Sequence, residues 1–97
     1  MDAIETIRGE LEQVLSNISA SGYANLDAGI TDKLCAIGTS AENLGMKNGK
    51  KLIDNLSEVL KSFKDGKSEE KSVALRFTAL EFYNNHIKAE VGEVEEL

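Results

Sequence analysis

Residues 32–46, DKLCAIGTSAENLGM, contain the clearest structural signal in the chain. Leu34, Ile37, Ala41 and Leu44 recur at spacings of three and four, which predicts the apolar face of an α-helix. Gly45 follows the last of them, at the place where helices commonly end in a left-handed residue. We therefore expect an amphipathic helix that stops at Gly45.

Three further segments show the same helical periodicity. Their apolar positions are Ile4, Ile7, Leu11, Leu15 and Ile18; then Leu52, Leu56, Val59, Leu60 and Phe63; and last Val73, Phe77, Leu80, Ile87, Val91 and Val94, with Phe82 and Tyr83 widening the face. The second helix is expected to begin near Asn25 or Asp27. Short connections make neighbouring helices antiparallel. The sequence thus predicts an all-α fold, a single domain over 1–97 and an antiparallel up-and-down four-helix bundle.

Composition narrows the class of protein. The 97 residues carry 11 Lys and Arg against 17 Asp and Glu, a net charge of −6, so we expect neither nucleic acid nor an anionic membrane surface as a partner. No apolar run approaches the ~18 residues of a membrane span. The single cysteine cannot form an internal disulfide, which favours a reducing cytoplasm.

Several kinds of chemistry lack the residues they need. His86 is the single histidine, too few for a zinc site or a di-iron site in a bundle. Residues 45–51, GMKNGKK, have three residues between the glycines and no Ser or Thr after the lysine, so they fail as a phosphate loop. A catalytic pair of Cys35 and His86 would need an oxyanion site that nothing suggests. We expect no enzyme, no metal, no cofactor and no small-molecule substrate.

A patch of small residues lies beside the apolar face of the second helix. Cys35, Gly38, Thr39 and Glu42 form a neighbouring stripe, with Thr31 one turn earlier, and this stripe should be partly exposed. Gly38 costs ~1 kcal/mol relative to alanine inside a helix. Two interpretations stay open: close packing against a neighbouring helix, or a docking surface where a partner approaches the backbone.

This stretch resembles the signature of histidine-containing phosphotransfer (HPt) domains, the four-helix carriers of bacterial phosphorelays. The family pattern is roughly His-x-Leu-Lys-Gly-Ser-Ala-x-x-Leu-Gly. The matching positions are Ile37 at the leucine, Ser40-Ala41, Leu44-Gly45, Leu52 and Leu56 in the third helix, and Lys64-Asp65-Gly66 after it. The resemblance covers the whole chain and implies an HPt-like bundle.

The departures from that pattern concern the chemistry. Cys35 stands at the position of the phosphoacceptor histidine, Gly38 at that of the lysine and Thr39 at that of the glycine. In the family the histidine accepts the phosphoryl group and the lysine balances its charge. A thiol is a poor substitute for imidazole in reversible phosphoryl transfer. The resemblance therefore implies a non-catalytic relative that keeps a docking surface.

The partner implied by the resemblance is the receiver domain of a response regulator or a hybrid sensor kinase. Lysines crowd the start of the third helix and could attract the acidic pocket of a receiver, although a solvated face is the ordinary role of such a run. The expected docking surface comprises Thr31, Cys35, Gly38, Thr39, Glu42, Lys47, Lys50 and Lys51.

Two other functions remain open on the sequence. The chain could be a small structural or oligomerisation bundle unrelated to phosphorelays, with the small residues serving a helix–helix contact. It could also be an active phosphocarrier that uses His86, which is expected at the boundary of the fourth helix's apolar face.

Overall fold

The computed structural model describes residues 3–27 and 29–96, and their side chains as far as Ile87. The helices are α1 (Ala3–Ser21), α2 (Gly29–Asn43), α3 (Lys47–Lys64) and α4 (Glu70–Glu96). They pack in a ring in which α1 contacts α2 and α4, while α3 contacts α2 and α4. This confirms the predicted four-helix bundle and places α2 diagonally opposite α4.

Contacts across the bundle show that α1 and α4 run in opposite directions. Asn84 reaches the carbonyl of Arg8 near one end. The ring of Tyr23, just after α1, meets the ring of Phe77 edge-on at 6.0 Å between centroids near the other end. Chain numbers therefore rise along α1 as they fall along α4, which is the predicted antiparallel arrangement. Tyr23 is partly buried and packs against the core at this end of the bundle.

The core follows the predicted apolar stripes. Buried side chains come from every helix: Ile7, Leu11, Val14, Leu15 and Ile18 of α1, Leu34, Ile37 and Ala41 of α2, Ile53, Leu56 and Leu60 of α3, and Val73, Leu80 and Ile87 of α4. Val91 and Val94, also predicted on this stripe, have side chains outside the described residues. One apolar face per helix thus meets at a single core.

The structure corrects the two ends of α2. The helix begins at Gly29, close to Asp27 and not at Asn25, because Tyr23–Asn25 form a separate 3-10 turn and the Asp27 carboxylate accepts a hydrogen bond from the Gly29 amide at 3.1 Å. Leu44 was predicted in the core but is 43% exposed. It follows the last helical residue, and Gly45 reverses the chain there with a positive φ of 78°. The predicted end of the helix at Gly45 is confirmed.

Candidate functional site

The candidate docking residues do not all lie on one surface. Cys35, Thr39 and Glu42 are exposed on α2 and border α3. Thr31 instead lines a pocket of about 390 Å³ at one end of the bundle, together with Tyr23, Leu60 and Phe63. Lys51 lines a groove between α3 and α4. The sequence analysis predicted one surface, but the structure places Lys51 toward α4, away from Cys35 and Thr31 on α2.

Lys50 and Lys51 illustrate the separation. Adjacent helical residues point about 100° apart. Lys50 therefore lies toward α2, with its Cδ 3.6 Å from the place where a Gly38 Cβ would sit, whereas Lys51 lies toward α4. Lys47 is exposed one turn before Lys51. Of the three lysines, Lys50 is the one whose contacts place it beside the small residues of α2.

We define the α2/α3 face by the residues that contact one another around Cys35. Its members are Cys35, Gly38, Thr39 and Glu42 of α2 with Lys50, Asp54 and Ser57 of α3. Asp54 and Ser57 were not singled out from the sequence. A signal for Ser57 did exist, because it is a polar residue one position after the core residue Leu56.

Gly38 is buried where α2 and α3 approach most closely. A Cβ at this position would lie 3.3 Å from Cγ2 of Ile53 and 3.5 Å from Oδ1 of Asp54. The first of these distances is tighter than ordinary van der Waals contact, so a larger residue would press the two helices apart. The expectation of partial exposure therefore applies to Cys35 and Thr39, whereas Gly38 is covered by α3.

Cys35 is exposed near the middle of α2. Its Sγ lies 3.7 Å from Oγ of Ser57, a contact in which either atom can donate. Ser57 is only 3% exposed, so the thiol covers a buried hydroxyl. The Thr39 hydroxyl donates to the carbonyl of Cys35 at 3.1 Å, which holds this side chain against its own helix. The side chains of Cys35 and Thr39 therefore protrude little from α2.

Charges on the α2/α3 face are paired. Nζ of Lys50 lies 2.9 Å and 3.1 Å from the two carboxylate oxygens of Asp54. This hydrogen bond raises the pKa of Lys50; partial burial opposes the rise, and the charges of Asp54, Glu42 and Cys35 add to it. Lys50 on this face is thus already paired with a carboxylate on its own helix, with a second carboxylate nearby.

His86 lies on a different surface from Cys35. It is exposed on α4, its ring stacks on that of Phe82 at 6.4 Å between centroids, and it lines the groove between α3 and α4. Because α2 and α4 are diagonal in the bundle, α3 stands between the two side chains. The structure does not bring Cys35 and His86 together as a nucleophile and its base.

Two searches of the described residues give negative results. No group of three or more His, Cys, Asp or Glu side chains among them is arranged to hold a metal ion. No helix in the described part of the chain is sufficiently long and apolar to cross a bilayer.

Comparison of the chain with protein-family models, with curated proteins and with solved structures finds no match.

Proposed function

We propose that this chain is a non-catalytic, HPt-like docking module of two-component phosphorelay signalling in the bacterial cytoplasm. Its partner is a receiver domain, carried by a response regulator or by a hybrid sensor kinase. The observation that carries the proposal is the position of Cys35. It is exposed midway along α2 of a four-helix bundle, on a low surface beside α3, where the resemblance places the phosphoacceptor histidine.

The shape of the α2/α3 face supports docking. Gly38 carries no side chain, and the Thr39 hydroxyl is turned back to the carbonyl of Cys35. A partner that docks beside Cys35 and Thr39 therefore meets two short, exposed side chains on α2, while Gly38 itself lies beneath α3. Ordering of flexible side chains is a cost of association, so a face with few of them favours binding.

The charges of the same face argue against phosphate transfer. A phosphoryl group at Cys35 would need a cation to balance it, but Gly38 occupies the position of the family's lysine. Lys50, the lysine of this face, is already paired with Asp54. Glu42 adds another negative charge to this neighbourhood. We therefore propose a protein that binds a receiver domain and is not an enzyme.

A purely structural role is the second candidate, and the burial of Gly38 favours it. The glycine is explained within the chain by the close approach of Ile53 from α3, with no need for a partner. Cys35 and Thr39 are exposed, however, and the packing of α2 against α3 does not require small side chains there. The two candidate functions therefore differ in what they predict for the surface of Cys35 and Thr39, which binds a partner in one and nothing in the other.

A titration of the labelled protein with receiver domains from the same genome, followed by NMR, tests the proposal. We expect shifts of amide signals at Cys35, Thr39 and Lys50 with one receiver. Thr39→Arg should abolish binding, because an arginine would stand over the low surface. Ala36→Arg is the matched control: it adds the same charge and bulk to α2, but on the side that faces α1.

Absence of binding by every receiver would overturn the docking proposal and leave the structural bundle. Equal loss of binding in both arginine variants would show that α2 docks by another face. The phosphocarrier alternative has a separate test, incubation with a phosphorylated receiver and a search for acid-labile label at His86. Label at that residue would replace the non-catalytic proposal with an active carrier.

A further inference from the structure

The outer face of α4 exposes two large apolar side chains. Phe82 was predicted to widen the core face, but it is 73% exposed, and Leu75 is 65% exposed. Both belong to a second stripe on the helix, Leu75, Ala79, Phe82 and His86, at spacings of four, three and four. Helix α4 is therefore apolar on two sides, one in the core and one facing solvent.

Part of this stripe borders a groove of about 390 Å³ between α3 and α4, which we call the α3/α4 groove. Its lining residues are Asn48, Lys51 and Leu52 of α3 with Ala79, Phe82, Tyr83 and His86 of α4. The nearly parallel rings of Phe82 and His86, 3° apart, form one wall. The groove thus has an apolar surface and a polar rim at the start of α3.

The charge of the groove is opposite to that of the whole chain. Among the described residues that line it, Lys51 is cationic and none is acidic, whereas the net charge of the protein is −6. Lys47 adds a cation one turn earlier, in the first turn of α3, where the helix dipole is also positive. Glu81 lies on the other side of α4, in a groove shared with Glu12 of α1.

We propose that the α3/α4 groove binds an acidic amphipathic helix of a partner protein. Leu75 and Phe82 are seven residues apart on one face, about 10 Å along the helix axis. This length matches two turns of a helix that presents its own apolar side chains at the same spacing. The carboxylates of the partner helix lie toward Lys51 and Lys47 at the rim.

The rim argues against a second copy of this chain as the occupant. A two-fold symmetric dimer places the same patch of each copy against the other. Lys51 of each copy would then enter an interface whose groove offers no carboxylate. A helix that brings its own glutamates satisfies these lysines, so charge complementarity selects a different and acidic partner.

This surface is separate from the α2/α3 face, because Lys51 lies toward α4 whereas Lys50 lies toward α2. The inference therefore stands whether or not a receiver binds at Cys35. Binding at the groove can be measured with a synthetic helical peptide that carries leucines on one face and glutamates beside them. The comparison peptide has lysines in place of the glutamates.

We expect the acidic peptide to shift the amide signals of Lys51, Ala79 and Phe82, with an affinity that falls as salt is added. Phe82→Ala should weaken binding about tenfold or more, as truncation of a central aromatic commonly does. Lys51→Glu should also weaken it and improve binding of the lysine peptide. Leu44→Ala removes an exposed apolar side chain elsewhere and should leave the affinity unchanged.

Three results would overturn the inference. One is the absence of groove shifts with the acidic peptide, and another is equal binding of both peptides. The third is a concentration-dependent dimer in sedimentation that Phe82→Ala abolishes, because this would identify a second copy as the occupant. Phe82 is exposed, so its substitution leaves the fold intact, and circular dichroism of the variant checks this.

Discussion

The ring of Tyr83 on α4 packs directly onto the backbone of Gly49 on α3. A Cβ at position 49 would lie 2.9 Å from the phenolic oxygen and 3.0 Å from Cε2. Gly49 is buried although it belongs to the first turn of α3. The absence of a side chain at this position is therefore what lets α3 and α4 approach each other at this end of the bundle.

Gly49→Ala should destabilise the protein. Alanine gains ~1 kcal/mol of helix propensity over glycine. The methyl group must displace the Tyr83 ring, and overpacking of this kind costs about 1–3 kcal/mol. We expect a net loss of about 1 kcal/mol in the free energy of unfolding, measured by urea denaturation.

Gly38→Ala is the control for this effect, because it makes the same substitution in another buried helix contact. Its nearest neighbour would be Ile53 Cγ2 at 3.3 Å, a milder overlap, so propensity and crowding should nearly cancel. A more stable Gly49→Ala variant would contradict the packing of Tyr83 onto α3.

Asn84→Leu should stabilise the protein. Asn84 is 3% exposed; its amide donates to the carbonyl of Arg8 at 3.2 Å, while its Oδ1 has no hydrogen-bond partner among the described residues. A buried acceptor without a partner costs about 1–3 kcal/mol. Leucine has the same branching and removes the cost, so we expect a gain of about 1 kcal/mol. A loss of that size in thermal or urea unfolding would show that the hydrogen bond to Arg8 outweighs the unpaired oxygen.

The sequence predicted the bundle well because α1, α2 and α3 each have one dominant apolar stripe. Ile7, Leu11 and Ile18 at helical spacing can be buried together only if another helix covers them. Gly45 adopts a positive φ at the end of α2, as its position in the pattern suggested, and Gly66 does the same after α3. The apolar stripes and the glycines at helix ends depend on residues close together in the chain, so the spacing of residues in the sequence predicts them.

The candidate surfaces were harder to predict, because they depend on which helices are neighbours. Periodicity places Phe82 near the apolar face of α4 but does not show where the buried part of that face ends. In the structure Phe82 lies outside the buried part, and its ring is exposed to solvent. The burial of Gly38 and the separation of Lys50 from Lys51 follow from how α3 is rotated against α2 and α4. Spacing within one helix carries no information about that rotation.

The stability of the protein should fall in alkaline solution, partly through Tyr23. Burial raises the pKa of Tyr23 above its usual value of 10.0, and the charges of Glu70 and Glu81 add to the rise. As pH rises past 10.0, the unfolded chain loses this proton before the folded protein does. The stabilisation is therefore complete below that pH and is lost as pH rises through the folded pKa.

Tyr23→Phe should show a smaller alkaline loss of stability than the natural chain, in urea denaturation from about pH 8 to about pH 11. Part of the loss remains in the variant, because the pKa of Lys50 is also raised, by its hydrogen bond to Asp54. Identical pH profiles for the two proteins would mean that Tyr23 titrates alike in the folded and unfolded states.

Cys35→His tests the proposal that the α2/α3 face corresponds to the phosphoacceptor surface of an HPt domain. The side chain at position 35 is exposed midway along α2, so an imidazole fits there without entering the core. If a receiver domain docks on this face, its aspartyl phosphate comes within reach of the new histidine. We expect the variant to take up acid-labile label from a phosphorylated receiver and the natural chain to take up none.

The transfer should be slow, because Lys50, the lysine of the α2/α3 face, is already paired with Asp54 and does not balance the phosphoryl charge. Combining Cys35→His with Asp54→Asn should therefore release Lys50 and raise the rate of labelling. Gly38→Lys, which copies the family pattern more literally, should not help, because the buried glycine leaves no space between Ile53 and the helix. Asp32→Asn, which also removes an exposed carboxylate, is the matched control for the change in charge. A Cys35→His protein that binds a receiver but takes up no label would place the docking site away from position 35.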